Sequence, residues 1–507
     1  MAQAGVALLL AGSARASPGG GGDGPKVGCH SDGHDDPGHA GMTNCSAWPA
    51  NGPSRPTTPL PPSQRHPVML VPSMLGSVLD RSLHNSREPY PICPNGGWTG
   101  GGDWYQMWPP AGLDPSCSGI SCLPTDWFPL YADCWAHDMT MAYNAQNDQY
   151  SDPQGVTIRA SATLTQLCDK DSNIVSAPAH IARHDSRLLL TASPPLLTTS
   201  PLLLLLLLLF GPQLAEYYCI CNLLQDLGYA PNTEFSSLPY DWRKGPSDWL
   251  KPGGYFSLLK AEIEQLRASS GKRVVTVSFS LGGPVFAVFL NKYVDAAWKD
   301  ANIANWVSFS GTFGGVQESL LQQLTYNGAF TVPSMDNKTA LDMMRSWGSQ
   351  NWMAASLPPN DAVVTVKGSS RTYLGKEIGD VFHLIDQPAL EIAYHHNLAS
   401  TAGPAPGVEA YIIGGTGHQT PRSYEFGPSK LDPSKPDIAA GPTNVTCVDG
   451  DQVATHDSLI GLATRWQAQG SQAGKPVHTI VVEASHGNTV SNGQALATLY
   501  TALLAAK

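Results

Sequence analysis

The sequence predicts an α/β fold, a large domain carrying insertions, and three observations point to it. Phe256, Leu258, Leu259, Ile263 and Leu266 recur at roughly helical spacing, and Gly271 then supplies a helix stop. The β-branched run Arg273-Val274-Val275-Thr276-Val277 follows and suits a buried strand. After the turn Ser278-Phe279-Ser280-Leu281-Gly282-Gly283, a helical apolar stretch resumes at residues 285–290. Strand-like runs recur at Val68–Val71, at residues 408–413 and at Val477–Glu483.

The chain has 507 residues, about three domain lengths at ~150 residues each, so there is ample length for a core. Apolar residues make up 42% and charged residues 14%, too little charge for a coiled coil or a charged disordered chain. Lys and Arg total 30 against 41 Asp and Glu, a net charge of −11. Without basic runs, that balance argues against nucleic acid as a partner. Ten cysteines are too few for a disulfide scaffold but enough for individual bridges. No apolar run reaches the ~18–20 residues that span a bilayer.

Residues 1–16 read as a signal peptide. Residues 4–12 are apolar or small, and Ala14-Arg15-Ala16 resembles a cleavage site, although no Lys or Arg precedes the apolar stretch. Sequons at Asn44, Asn337 and Asn444 agree with a secreted or lumenal chain. Residues 17–65, rich in Gly, Pro, His and Ser, predict a disordered leader. Cys29, His30, His34, His39 and Cys45 lie there, but their spacing matches no zinc pattern, so no metal is expected, and no cofactor either. Residues 174–213 form a low-complexity insert. Pro194-Pro195 and Pro201 precede eight consecutive leucines at 202–209, a run too short for a membrane helix. Runs of Leu, Ser, Pro and Phe come from pyrimidine-rich codons, so the insert reads as a translated retained intron, with a membrane-inserting loop as the alternative.

Ser280 stands at the apex of the strand–turn–helix unit. The pattern is G-x-S-x-G, with Ser278 at the first small position and Gly282 at the last. Larger side chains two residues to either side would collide across so sharp a turn. The helix that follows aims its N-terminus at the reacting oxygen. An ordinary tight turn would also hold a serine, so the partners decide. They occur in the order serine, acid, histidine. Asp449-Gly450-Asp451 forms an acidic loop, and His486 follows the Val477–Glu483 strand in Ala484-Ser485-His486-Gly487. A nucleophile, an orienting acid and a base in this order point to acyl transfer through a serine ester. Such chemistry needs two N–H donors for the oxyanion, one after the nucleophile and one from an early strand loop. Leu281 and Met74, the latter in Pro72-Ser73-Met74-Leu75-Gly76, are the candidates.

Further motifs narrow the reading. They are His66-Pro67-Val68-Met69-Leu70-Val71-Pro72, Asp133-Cys134-Trp135, Pro239-Tyr240-Asp241-Trp242-Arg243, Ser280-Leu281-Gly282, Gly415-Thr416-Gly417 with Thr420-Pro421-Arg422, and Asp449-Gly450-Asp451. Together they resemble the lecithin:cholesterol acyltransferase and lysosomal phospholipase A family over most of residues 66–507. The resemblance implies an α/β-hydrolase fold with a lid/membrane-binding loop and an inserted cap domain. It implies an O-acyltransferase that takes a fatty acyl group from a phospholipid onto Ser280, with Asp451 and His486 completing the triad. The acyl group would pass to an alcohol or sterol acceptor, or to water as phospholipase A activity. A phospholipid membrane surface or lipoprotein-like particle would be the partner, with a lipid alcohol as acceptor.

By the same resemblance, Cys93 and Cys134 match the family's first disulfide, closing a lid-like loop at 93–135. Cys117 and Cys122 lie inside it and offer a further pairing. Trp98, Trp104, Trp108, Trp127 and Trp135 also fall there. In the family this region binds membrane, and indole rings favour the membrane interface, so Trp98, Trp104, Trp108 and Trp127 are the candidate anchors. An ordinary aromatic core is the alternative. Residues 315–405 would form the cap. Three departures stand out. The family's first loop usually has Gly where Ser73 stands, the acidic loop is one residue shorter after Asp451, and Ile412 and Ile460 replace a second disulfide. The departures at Ser73 and the acidic loop keep open a catalytically dead lipid-binding protein. A simple lipase or esterase that uses only water is the other alternative.

Overall fold

A computed structural model describes residues 55–84, 104–108, 132–161, 164–168, 216–326, 335–401, 403–472 and 474–506, together with Cys29, Cys45, Trp48 and Pro49. At its centre is a six-stranded sheet: β1 (Val68–Val71), β2 (Phe235–Ser237), β3 (Val274–Phe279), β4 (Ile303–Phe309), β5 (Ala410–Thr416) and β6 (Val477–Glu483). The strand order is β6-β5-β4-β3-β1-β2, and every neighbouring pair is parallel. This mixed α/β architecture is consistent with the α/β-hydrolase expectation.

The strands are apolar on both faces because helices cover both. Alternate residues point to opposite sides of a sheet. Met69 and Val71 of β1 and Ala410 and Ile412 of β5 therefore enter one apolar cluster. Val68, Leu70, Tyr411 and Ile413 enter another. The second cluster is closed by helices α1 (Tyr218–Asp226) and, at the far end of the chain, Gly493–Ala505. The first is closed by α2 (Tyr255–Ser270) and α3 (Gly282–Val288). Phe256, Leu259, Ile263 and Leu266 are the buried stripe of α2; Leu258 falls off that stripe and is 56% exposed. Gly271 stops the helix in the left-handed conformation, as its position predicts, donating its N–H to Arg267 O (2.8 Å).

A smaller sheet runs in the order Thr372–Leu374, Ala362–Val366, His418–Phe426 and Pro442–Gly450. A third apolar cluster joins it to the preceding helices through Leu320, Val364, Phe382, Tyr394, Tyr424 and Phe426. The segment predicted as a cap, 315–405, thus supplies only part of this unit. The remainder returns after β5.

The disordered leader predicted at 17–65 needs correction where its residues are described. Cys29 is bonded to Cys447 and Cys45 to Cys219. The Trp48 and Tyr500 rings meet edge-on at 6.4 Å, Arg55 pairs with Asp226 (2.9 Å), and Leu60 is buried. Covalent links fasten a segment whose own composition could not build a core. They also remove Cys29 and Cys45 from any metal-ligand set. The expected signal peptide and the residues Cys93, Trp98, Cys117, Cys122 and Trp127 lie outside the described residues; Cys134 is disulfide-bonded.

Residues 174–213 also lie outside them, but both flanks are described. The helical turn Leu164–Cys168 lies beside α1, Tyr217 N–H donates to Leu167 O (3.1 Å), and Cys168 is bonded to Cys221. The chain therefore leaves and returns at one place. Deleting 174–213 leaves 169–173 and 214–215 to span two points already joined, a connection of ordinary length. The shortened protein is expected to melt within about 4 °C of the full chain, which corresponds to roughly 1 kcal/mol. Peptide mapping should still find the Cys168–Cys221 bridge. Aggregation, or loss of that bridge, would show that the segment is needed for folding.

Candidate active site at the carboxyl ends of the strands

Ser280 follows β3 directly and has φ +53°. A non-glycine residue held in this left-handed region costs roughly 1–3 kcal/mol. Ser280 N–H donates to Phe309 O at the end of β4 (3.0 Å), and Gly283 N–H donates to Ser280 O (2.9 Å). At about 0.5–1.5 kcal/mol net each, the two bonds offset much of that cost. Gly282 is required by close approach: a Cβ there would lie 2.5 Å from Val71 O and 2.6 Å from Pro72 O. The turn at Ser280 thus rests on the backbone leaving β1. Ser278, the small residue on the other side, is buried, and its Oγ accepts the Trp306 indole N–H (2.9 Å).

Asp451 and His486 come from the loops after Pro442–Gly450 and after β6. Ser280 Oγ–H donates to His486 Nε2 (2.8 Å), and His486 Nδ1–H donates to Asp451 Oδ2 (2.7 Å). Asp451 is 0% and His486 1% exposed. The second carboxylate oxygen, Oδ1, accepts from Val453 N–H (3.1 Å) and Ala454 N–H (2.8 Å), so backbone amides stand in for the lost water. His486 N–H also donates to Asp451 O (2.8 Å), tying the two loops together. The imidazole packs on Phe279, with ring centres 5.2 Å apart. Gly415 on β5 lets these loops close, since a Cβ there would lie 2.8 Å from Asp451 Cβ.

Asp449, two residues earlier, faces away from this relay. Its carboxylate accepts from Gly417 N–H (2.7 Å) and from the Thr416 hydroxyl, the latter holding its pKa below the usual range. It fastens the turn after β5. The shortened acidic loop is closed by Asp451 N–H donating to Ala454 O (3.1 Å), and the relay remains continuous.

Val71 pairs in register with Ser278, so the loop leaving β1 runs beside the nucleophile turn. Tyr217 Oη–H donates to Val71 O (2.6 Å) and Tyr240 Oη–H to Pro72 O (3.0 Å). Met74, in this loop, is half-buried, and Leu281 caps the start of α3 on the other side of Ser280. Between the loop and α1 lies Glu216. It accepts Ser73 N–H on Oε1 (3.1 Å) and contacts the Ser73 hydroxyl through Oε2. Burial pushes its carboxyl up to about 7, against the lowering effect of the Ser73 hydrogen bonds. Sequence reasoning did not find Glu216, because a lone Glu ahead of an apolar helix carries no periodic or motif signal.

The remaining candidates are dispersed. Trp104 is 38% exposed, with the Arg159 guanidinium 4.2 Å from its ring centre. Trp108 ends the strand Tyr105–Trp108, opposite Leu79. Trp135 is buried and donates its indole N–H to Met107 O (3.0 Å), so it serves the core. Ile412 and Ile460 are buried in the same apolar cluster. Arg243, from the Pro239–Arg243 motif, is fully buried between Asp241 and Asp152 (2.8 Å to each).

The lecithin:cholesterol acyltransferase family model matches residues 206–377. The phosphatidylcholine-sterol acyltransferases of Papio anubis and Homo sapiens are each 27% identical over 463 residues, covering 89% of this chain and 88% of the relative. The lysosomal phospholipase A and acyltransferase of Rattus norvegicus is 24% identical over 458 residues, covering 87% of this chain and 92% of its own. A chain from the crystal structure of the Tle4–Tli4 complex superposes with a TM-score of 0.37 at 11% identity, covering 89% of this chain and 98% of that one, too slight a likeness to bear on the fold. The resemblance carried by the motifs therefore extends along most of the sequence: the chain is similar to phosphatidylcholine-sterol acyltransferases over 89% of its length and to a lysosomal phospholipase A and acyltransferase over 87%.

Proposed function

We propose that the protein is a serine-dependent O-acyltransferase. It takes a fatty acyl group from a phospholipid and passes it to an alcohol or sterol, or to water as phospholipase A activity. The observation that carries this reading is the continuous relay from Ser280 Oγ through His486 to Asp451, set in a left-handed turn at the carboxyl ends of a parallel sheet. The substrate class comes from the relatives, named as phosphatidylcholine-sterol acyltransferase and lysosomal phospholipase A and acyltransferase.

Ser280 Oγ attacks the acyl carbonyl carbon while its proton passes to His486 Nε2. The ester C–O bond to glycerol breaks, and the leaving oxygen takes that proton. In the second half, the acceptor hydroxyl gives its proton to Nε2 as its oxygen attacks the acyl-enzyme, and Ser280 recovers the proton on leaving. Asp451 holds the imidazole tautomer and stabilises the imidazolium. The N–H groups of Met74 and Leu281 receive the oxyanion.

The loop 93–135 acts as lid and membrane-binding element through Trp98, Trp104, Trp108 and Trp127, with Cys93 as the partner of Cys134. The 315–405 segment, with the smaller sheet, caps the acyl site. A phospholipid membrane surface or lipoprotein-like particle presents the substrate. The disulfides support a secreted or lumenal setting, where thiols are oxidised.

Three measurements test this reading. Mass spectrometry of products from mixed phospholipid and alcohol vesicles is expected to find the acylated alcohol. Free fatty acid alone would indicate a lipase or esterase, and no product would indicate a lipid-binding protein. Replacing Ser280 by Ala should abolish labelling by a fluorophosphonate and cut turnover by about 10⁶, with an unchanged circular-dichroism spectrum. Retained turnover would assign the chemistry to another serine. For the acid, Asp451→Asn should lower kcat by about 10⁴, whereas Asp449→Asn, which only loosens the 416–417 turn, should stay within about tenfold. The reverse order of the two effects would reassign the acid.

A further inference from the structure

The loop that carries Met74 is held by a buried acid that the relay does not use. Glu216 is 1% exposed. Its Oε1 accepts Ser73 N–H (3.1 Å), and the Ser73 hydroxyl lies within hydrogen-bond reach of both Glu216 Oε2 and Met74 O, 2.8 Å from the latter. A serine hydroxyl has one proton and cannot donate to both oxygens. With Glu216 as a carboxylate, one of these oxygen–oxygen contacts has no proton in it. With Glu216 protonated, every contact is satisfied: Glu216 Oε2–H donates to Ser73 Oγ, and Ser73 Oγ–H donates to Met74 O.

The surroundings agree with the neutral form. Tyr217 and Tyr240 face Glu216, and beyond them Tyr255 faces both; burial pushes all three phenols up, so none is charged. The Tyr217 and Tyr240 hydroxyls are spent on Val71 O and Pro72 O. Gly76 closes the pocket, since a Cβ there would lie 2.5 Å from Glu216 Oε1. Burial outweighs the Ser73 hydrogen bonds, and no described cation contributes to the balance that leaves this carboxyl near 7.

We propose that Glu216, in its neutral form, is a positioning residue for acyl transfer: directly at Ser73 N–H and through the Ser73 hydroxyl at Met74 O, it holds the peptides on either side of the Ser73–Met74 peptide, whose N–H receives the oxyanion. This rests on the serine-enzyme reading above. Ionisation of Glu216 draws the Ser73 proton away from Met74 O and frees that carbonyl. It also places a negative charge beside the loop where the transition state builds another. Both effects slow acylation. The serine at position 73 and the acid at position 216 therefore account for each other, because a glycine at 73 has no hydroxyl to relay.

The test is the pH dependence of kcat and KM on p-nitrophenyl butyrate for the full chain, with Ser280 titrated by a fluorophosphonate in every variant. Glu216→Gln keeps the neutral network without a titrating group: its Nε2–H donates to Ser73 Oγ and its Oε1 accepts Ser73 N–H. The kcat/KM of wild type relative to Glu216→Gln is expected to fall about tenfold between pH 6 and pH 8, as one ionisation near neutrality requires. Glu216→Ala should lose about 10²-fold in kcat with KM within about twofold, the scale of one oxyanion donor. Should that variant not fold, Ser73→Ala, which removes only the relaying hydroxyl, should lower kcat at pH 6 instead. A ratio that stays constant with pH, or a truncated variant with wild-type kcat, overturns the proposal. Wild-type protein that is not labelled at Ser280 overturns the serine-enzyme reading, and this proposal with it.

Discussion

The left-handed backbone at Ser280 is the constraint around which the site is arranged. It turns the chain sharply out of β3 and lifts the serine above the sheet edge. It persists because neighbouring backbone over-determines it. Ser310, at the end of β4, is held the same way, with φ +43° and its N–H on Ile413 O (2.8 Å). Each strained serine extends the parallel ladder by one bond onto the next strand, Ser280 to β4 and Ser310 to β5. One hydrogen bond, worth about 0.5–1.5 kcal/mol, does not fully offset a strain of about 1–3 kcal/mol. The remainder falls to packing, and the backbone at Gly282 comes so near Val71 O and Pro72 O that there is no room for a Cβ. The same close approach ties the loop of Met74 to the turn at Ser280, so the proposed nucleophile and oxyanion donors cannot drift apart independently.

Two buried acids flank this turn, and their surroundings differ in kind. Asp451 receives N–H donors from three residues, His486, Val453 and Ala454. Among the described residues Glu216 meets Ser73 only, accepting its N–H and touching its hydroxyl, and burial dominates its titration. Donors gathered from separate chain segments can solvate a carboxylate where water cannot reach. The acidic loop is built to supply them, because it folds back through Asp451 N–H on Ala454 O and offers successive amides to one oxygen. Glu216 has no such loop around it and faces phenols already committed elsewhere.

Much of the fold and of the site was legible in the sequence because both rest on short-range patterns. The β-branched run of β3, the apolar stripe of α2 and its glycine stop are local, and the small residues around Ser280 follow from the sterics of one turn. Asp449 and Asp451 were not separable by pattern; only their hydrogen bonds distinguish the acid facing His486 from the one that fastens the 416–417 turn. The rest was hidden by long range. Cys29 and Cys447 are 418 residues apart, and a Gly/Pro-rich leader gave no sign that it would be fastened to the fold. The smaller unit crosses the boundary predicted at 405 because β5 interrupts it, and periodicity does not reveal which sheet a strand joins. Glu216 depends on Ser73, 143 positions away, and neither residue is unusual without the other.

The longest-range feature bears on the most local chemistry. Among the described strands, Pro442–Gly450, which leads into Asp451, pairs only with His418–Phe426, and beyond that it has a single bridge from Gly450 to Thr455. An edge strand lacks half of the pairing that keeps a central strand in register. Asp451 nonetheless has to meet His486 Nδ1 at 2.7 Å. The bridge from Cys447 to Cys29 lies four residues before the acid and limits how far the strand can fray. The Asp449 carboxylate on Gly417 N–H limits it again two residues before the acid. A covalent tie and a charged hydrogen bond thus hold this edge on the approach to the acid, where a central strand would have a second neighbour. Each tie therefore acts on the approach to Asp451, and through Asp451 on the imidazole that it orients.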